Sequence, residues 1–245
     1  MEIPTIFKNL EPYINDILQE PQLSDATVKI TCRALTVQEA IGSPERNDFP
    51  LQKGKEKLMQ ANIDGFAGQA FTDMPGLYEG TLENALTMQA TNNFRRAVII
   101  ASLNAALRKL GRASNTIHCR DAGPKECSLQ AVQLVKQTFG HPKIAVIGLQ
   151  PAIVEQLAGH FETRVFDLDP DNIGHIKCNV LIEDGDIDPQ EIEAWSDIVF
   201  ATGSTIANGT IDPFIKMKKP VFFYGTTIAG VADLLGLKRF CPTSA

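Results

Sequence analysis

Apolar side chains recur at helical spacing over residues 5–19, where Ile6, Leu10, Ile14 (or Tyr13) and Leu18 share one face; Pro21 closes the segment. The period then drops to two. Ala26, Val28, Ile30 and Cys32 alternate with polar positions, the pattern of a strand buried on one side. Residues 42–54 are polar and contain proline, which predicts an exposed loop. Two short strands follow over 58–63 and 65–71, joined by turn chemistry at Asp64-Gly65. Helical spacing returns over 92–110 through Phe94, Ala97, Val98, Ala101, Ala105 and Leu110, with Gly111 as the stop. A shorter helix over 128–139 ends at Gly140.

Beyond Pro142 the pattern changes. Near-continuous apolar runs occupy 143–147, 164–167, 178–182, 197–201 and 220–224, with a helical stretch over 152–161. Runs buried on both faces and separated by crossovers specify a parallel sheet. The expected fold class is therefore α/β, with an α+β domain over 1–140 followed by a parallel-sheet α/β domain over 141–245.

Charge supports this division. The first 140 residues carry 15 acidic and 15 basic side chains, so the whole net charge of −6 lies in the remainder. An acidic chain of this kind carries no electrostatic footprint for nucleic acid and no attraction to anionic lipid. The longest apolar stretch, 97–107, is too short to span a membrane. Five cysteines, an odd number with no Cys-x-x-Cys, argue against a disulfide framework or a zinc ribbon, and the expected compartment is the cytoplasm.

In an open parallel sheet, ligands bind beyond the carboxyl ends of the strands. The first such exit is Gly148-Leu149-Gln150-Pro151, where Gly148 permits close backbone approach and the next helix offers free N–H groups. It is not Gly-x-Gly-x-x-Gly, which weakens a dinucleotide site. The second exit holds Asp167 and Asp169, with Asp167 at the offset from Gly148 where nucleotide folds place a ribose-binding acid. Two further exits are glycine-plus-hydroxyl loops: Gly203, Ser204 and Thr205 with Asn208, then Gly225, Thr226 and Thr227. None has a Walker lysine. The acidic stretch 183–188 lacks calcium-loop spacing and reads as a solvated lead into a helix capped by Asp188. In the first half, Gln69, Thr72 and Asp73 end a glycine-rich strand, and His118-Cys119 bring imidazole and thiol together. As strand neighbours the latter two would point apart, so a shared metal site needs a turn there.

Taken in order, Gly68-Gln69-Ala70-Phe71-Thr72-Asp73, His118-Cys119, Ile147-Gly148-Leu149-Gln150-Pro151, Asp167-Leu168-Asp169, Thr202-Gly203-Ser204-Thr205, Asn208-Gly209-Thr210 and Tyr224-Gly225-Thr226-Thr227 form a recognisable string. It resembles the heavy-metal-chelation family, a domain of unknown function, over about residue 55 to Cys241. The resemblance implies an enolase N-terminal-like head joined to a Rossmann-like tail, with a shared site between them. It also implies a metal ion or metal-containing cofactor as ligand, although soft-ligand clusters are scarce in the sequence.

Three readings follow. The first is a cytoplasmic protein binding a small-molecule or metal ligand between its domains. The second is a transferase using a nucleotide-like cofactor such as S-adenosylmethionine. In the third, the parallel-sheet unit is a scaffold for a homo-oligomer.

Overall fold

The computed structural model describes residues 3–23, 29–53 and 56–245, with the side chain of Lys29 excluded. Helix α1 (Thr5–Leu18) matches the expected segment and buries Ile6, Leu10, Ile14 and Ile17. Its own N-cap position, Pro4, supplies no side-chain cap. Asp212 does so instead, from the far end of the chain: its carboxylate accepts from the N–H groups of Thr5 (2.6 Å) and Ile6 (3.0 Å). Strand β1 (Lys29–Ala34) carries Ile30 and Cys32 of the predicted alternation, while Ala26 and Val28 lie outside the described residues.

The predicted loop contains more structure than its polarity suggests. Helix α2 (Val37–Ile41) precedes it, closed by a Thr36–Glu39 capping box, and helix α3 (Pro50–Lys53) forms inside it. Gly54 lies outside the described residues. Strands β2 (Lys57–Ile63) and β3 (Phe66–Thr72) make the expected hairpin, and both Asp64 and Gly65 have positive φ. A strand absent from the sequence reading, β4 (Leu77–Thr81), joins them to give the antiparallel order β3-β2-β1-β4.

Helix α4 (Leu82–Leu86) leads to α5 (Asn93–Lys109), which starts at an Asn92 cap and is followed by Gly111 in a left-handed conformation. The spacing of α5 suggested one apolar face. Instead every residue from Arg96 to Leu107 is buried, which marks a helix packed on all sides. Helix α6 (Gly123–Phe139) begins five residues earlier than expected, because Pro124 fits the first turn, where no intrahelical N–H is needed.

The parallel sheet is built from β5 (Ile144–Ile147), β6 (Thr163–Asp167), β8 (Val180–Asp184), β9 (Ile198–Thr202), β10 (Val221–Tyr224) and β11 (Arg239–Phe240). The run over 178–182 is a correction. Strand β7 (Ile176–Lys177) pairs antiparallel with β8 across a two-residue turn at Cys178-Asn179, both at positive φ. The connecting helices are α7 (Pro151–Ala158), α8 (Pro189–Trp195), α9 (Thr205–Asn208), α10 (Asp212–Lys216) and α11 (Ala229–Leu235). As expected, Asp188 caps α8 by accepting from the Gln190 N–H at 2.9 Å.

Sheet order is β11-β10-β9-β5-β6-β8-β7. Counted in chain order, the six parallel strands run 3-2-1-4-5-6, the doubly wound arrangement with its switch point between β5 and β9. Each strand exposes alternate residues to two cores. Ala145, Ile147 and Val199 join α5 and head residues such as Met59 and Ala70 in one continuous cluster. Ile144, Val146 and Phe200 pack on the other face with α6 and α7 residues such as Ala131, Val135 and Leu157. The layers are thus antiparallel sheet, α5, parallel sheet, then α6 with α7.

Candidate functional site

The switch point brings Gly148 against Thr202. Gly148 has φ +87°, and a Cβ there would lie 2.7 Å from Thr202 Cγ2. The turn is held from beneath by Tyr224, whose hydroxyl donates to the carbonyls of Ile147 (3.0 Å) and Gly148 (2.8 Å). Donors expected to greet an anion are already engaged. Leu149 N–H donates to Asp167 Oδ2 at 2.6 Å, and Gln150 Oε1 caps α7 by accepting from Ile153 N–H at 2.5 Å. Asp167 Oδ1 accepts from the Asp169 N–H (2.7 Å) and the Asn172 amide (3.2 Å). A resident carboxylate therefore occupies the place where a phosphate or ribose would bind.

The hydroxyl loops also look inward. Ser204 Oγ lies 3.0 Å from Thr202 Oγ1, and Thr205 Oγ1 donates to the Thr202 carbonyl at 2.8 Å. Thr227 Oγ1 accepts from Phe71 N–H at 3.0 Å, tying the end of β3 to the β10–α11 loop. Gly203 packs against Ile228, Gly225 takes φ +95°, and Asn208 gives its carbonyl to Arg96. Among the described residues, Thr226 Oγ1 and Asn208 Oδ1 are buried polar atoms without a partner.

From the head, Gln69 Oε1 accepts from His118 N–H at 2.7 Å, and Thr72 Oγ1 accepts from Met74 N–H at 3.1 Å. Asp73 accepts from the Asn93 amide at 2.6 Å. The β2–β3 register ends at Lys57 opposite Thr72, so Glu56 and Asp73 directly flank the open end of the hairpin. Glu56 was not singled out in the sequence, although the Asp64-Gly65 turn already implied that placement. Burial, with Asp167, Asp73 and Asp169 nearby, pushes its carboxyl up to about 7. The head hairpin thus presents two carboxylates to the two at the end of β6. Through Glu56, the predicted head residue Asp73 and the predicted tail residues Asp167 and Asp169 act on one carboxyl.

His118 and Cys119 stand apart from this group in their chemistry. They lie in irregular chain rather than on a strand, and His118 Nδ1 sits 2.6 Å from the Cys119 carbonyl. Burial pushes the imidazole down to about 4, so it is neutral at pH 7. Among the described residues, no three His, Cys, Asp or Glu side chains converge as a ready metal site.

The resemblance read from the motifs holds. The sequence profile of the family described as "DUF364: Putative heavy-metal chelation" matches residues 130–235. Two crystal structures of proteins of unknown function from the same family have similar folds. One, from Pyrococcus horikoshii, is 14% identical, with a TM-score of 0.51 over 90% of this chain and 79% of its own. The other, from Desulfitobacterium hafniense, is 12% identical, with a TM-score of 0.52 over 94% of this chain and 84% of its own. Comparison with curated proteins gives no match. Among the described residues, no helix is long and apolar enough to cross a membrane.

The donor set can be tested against the family description. Carboxylates, hydroxyls and carbonyls prefer hard cations, whereas soft heavy metals prefer sulfur. The donors around Glu56 and Asp167 are all oxygen, so this site does not fit a bare soft ion.

Proposed function

We propose that the chain is a binding protein whose interdomain mouth takes a small ligand presenting positive charge: a hydrated divalent cation or a metal complex that brings its own ligands. The observation that carries this reading is the gathering of Glu56, Asp73, Asp167 and Asp169 around one mouth. Such a concentration of negative charge attracts and orients cations. Asp167 has both oxygens committed to N–H donors, so it contributes field rather than a coordinating oxygen. The lack of three converging ligands among the described residues favours a cation that keeps its own coordination shell.

Calorimetric titration with Mn²⁺ and with the substitution-inert hexaamminecobalt(III) ion tests this. Binding is expected for both at pH 8, weaker at pH 6, and lost in a Glu56→Gln/Asp73→Asn variant that retains its circular dichroism spectrum. No heat from either ion at pH 8, or full binding by the variant, overturns it.

The doubly wound strand order favours one second reading, a nucleotide-like cofactor such as S-adenosylmethionine at the switch point. The engagement of Asp167 with Leu149 and Asp169 weighs against it. Titration with S-adenosylmethionine decides, since this reading requires heat that Asp167→Ala abolishes.

A further inference from the structure

The polar segment between β1 and β2 is tied to the start of α6 and to α7. Gly42 takes φ +66°, and a Cβ there would lie 2.3 Å from Asp121 Oδ1, so glycine lets the chain pass directly over that carboxylate. Ser43 N–H then donates to Asp121 Oδ1 at 2.9 Å, and Asp121 N–H donates to the Ile41 carbonyl at 3.0 Å. Further along, Arg46 reaches across to Glu155 of α7, and Lys125 of α6 reaches back to Glu45 at 3.0 Å.

These ties do not close the space between them. A cavity of about 170 Å³ remains between the segment and the two helices. Its walls include Phe49 and Ala152, both buried members of the small apolar cluster that also holds Ile41 and Leu58. A cavity of ~150 Å³ with apolar walls holds a benzene molecule, so this one has room for a body of ring size. The polar lining sets the charge. It has three carboxylates, Glu45, Asp121 and Glu155, against two cations, Arg46 and Lys125. Glu45 matches Lys125, and Asp48, which is outside the lining, accepts from Arg46 Nε (2.9 Å) and from a terminal guanidinium nitrogen (2.7 Å). Asp121 and Glu155 are thus the acids in excess. Each has one oxygen engaged, Oδ1 of Asp121 by Ser43 and Oε2 of Glu155 by Arg46, and each has a second oxygen to accept from a ligand.

We propose that this cavity binds a primary amine with a compact apolar body of ring size, its ammonium on Glu155 and Asp121 and its body against Phe49 and Ala152. An ammonium group donates three hydrogen bonds and accepts none, so it suits a lining with acceptors in excess. A carboxylate or phosphate would instead meet two like charges, which disfavours it. None of the lining residues belongs to the Glu56 mouth, so this site goes beyond the function proposed above and does not depend on it.

The test titrates benzylamine into the full isotope-labelled chain and follows amide NMR shifts, with benzyl alcohol and benzoate as controls that keep the ring and change the charge. Benzylamine should saturate, with the largest shifts at Phe49, Lys125, Ala152 and Glu155, and both controls should bind more weakly by about tenfold or more. Glu155→Gln alters an exposed helix position, so the fold is kept, and should weaken benzylamine by about tenfold. Ala152→Leu fills the cavity and should abolish saturable shifts, its folding being checked by circular dichroism. If that variant does not fold, the ligand series and Glu155→Gln decide alone. Glu56→Gln/Asp73→Asn should bind benzylamine as the parent does. Absence of saturable shifts, equal binding of benzyl alcohol, or parent-like affinity in Glu155→Gln overturns the proposal. Loss of binding in the Glu56/Asp73 variant would move the site to the carboxylate mouth and overturn it equally.

Discussion

Glu56 shows how one side chain reports on the whole mouth. Its carboxyl ionises near 4.5 in ordinary surroundings and near 7 in the folded protein, so between those values the native state holds a proton that the unfolded chain has lost. Stability linked to Glu56 is therefore fully present below about pH 4.5 and falls as pH rises through about 7. Glu56→Gln keeps the neutral form at every pH. It should be more stable than the parent at pH 8, by on the order of 2 kcal/mol, and equal to it below pH 4.5. Urea denaturation at both pH values measures this, and parallel pH profiles for the two proteins would contradict the assignment. At this scale the sequence was half legible. The acids at 73, 167 and 169 could be marked from strand ends, and Glu56 could have been found by extending the hairpin register one pair.

Among the elements, α5 is the one whose environment the sequence disguised. Apolar positions at helical spacing implied one buried face, but alanine and serine on the remaining sides are what a helix needs when β2 and β3 lie close on one side and α9 and α11 on another. Gly68 makes the point. A Cβ there would sit 2.2 Å from Ala105 N and 2.4 Å from Ala101 O, so β3 packs backbone to backbone on the helix. Gly68→Ala must push apart two main chains and should cost about 2–3 kcal/mol, read as a lower urea midpoint. Asn104, on the same helix, donates to the carbonyls of Gln69 (2.9 Å), Thr226 (3.3 Å) and Thr227 (3.1 Å) and accepts from Gly230 N–H (2.7 Å). Asn104→Leu leaves these buried groups unpaired and should cost roughly 3 kcal/mol in the same assay. Five of the six parallel strands, by contrast, were legible, since continuous apolar runs have few other uses; the two-residue β11 is too short to leave such a run. The β7–β8 hairpin was not, because Cys178 and Asn179 read as part of a strand until their positive φ values are seen.

For the molecule as a whole, the head and tail are joined by more than the order of the chain. Asp212 of α10 caps α1, and the apolar cluster around α5 takes members from both sheets. Asp212→Ala removes the cap and should lower stability by about 1 kcal/mol, with faster amide exchange at Thr5 and Ile6. The change in sequence character near residue 140 signals a new sheet, but it does not reveal that α6 lies against α7 on the far side of that sheet. Patterns along a chain report which face of an element is apolar; they do not report which neighbour covers it.

Because α5 is wedged between the antiparallel sheet and the helices α9 and α11, the halves cannot swing apart like jaws without exposing much of its apolar girth to water. On the proposed function, a guest would then be admitted by rotation of side chains around Glu56 and Asp73 rather than by opening of the halves. Heating should accordingly melt both halves in one transition, whether or not a guest is present.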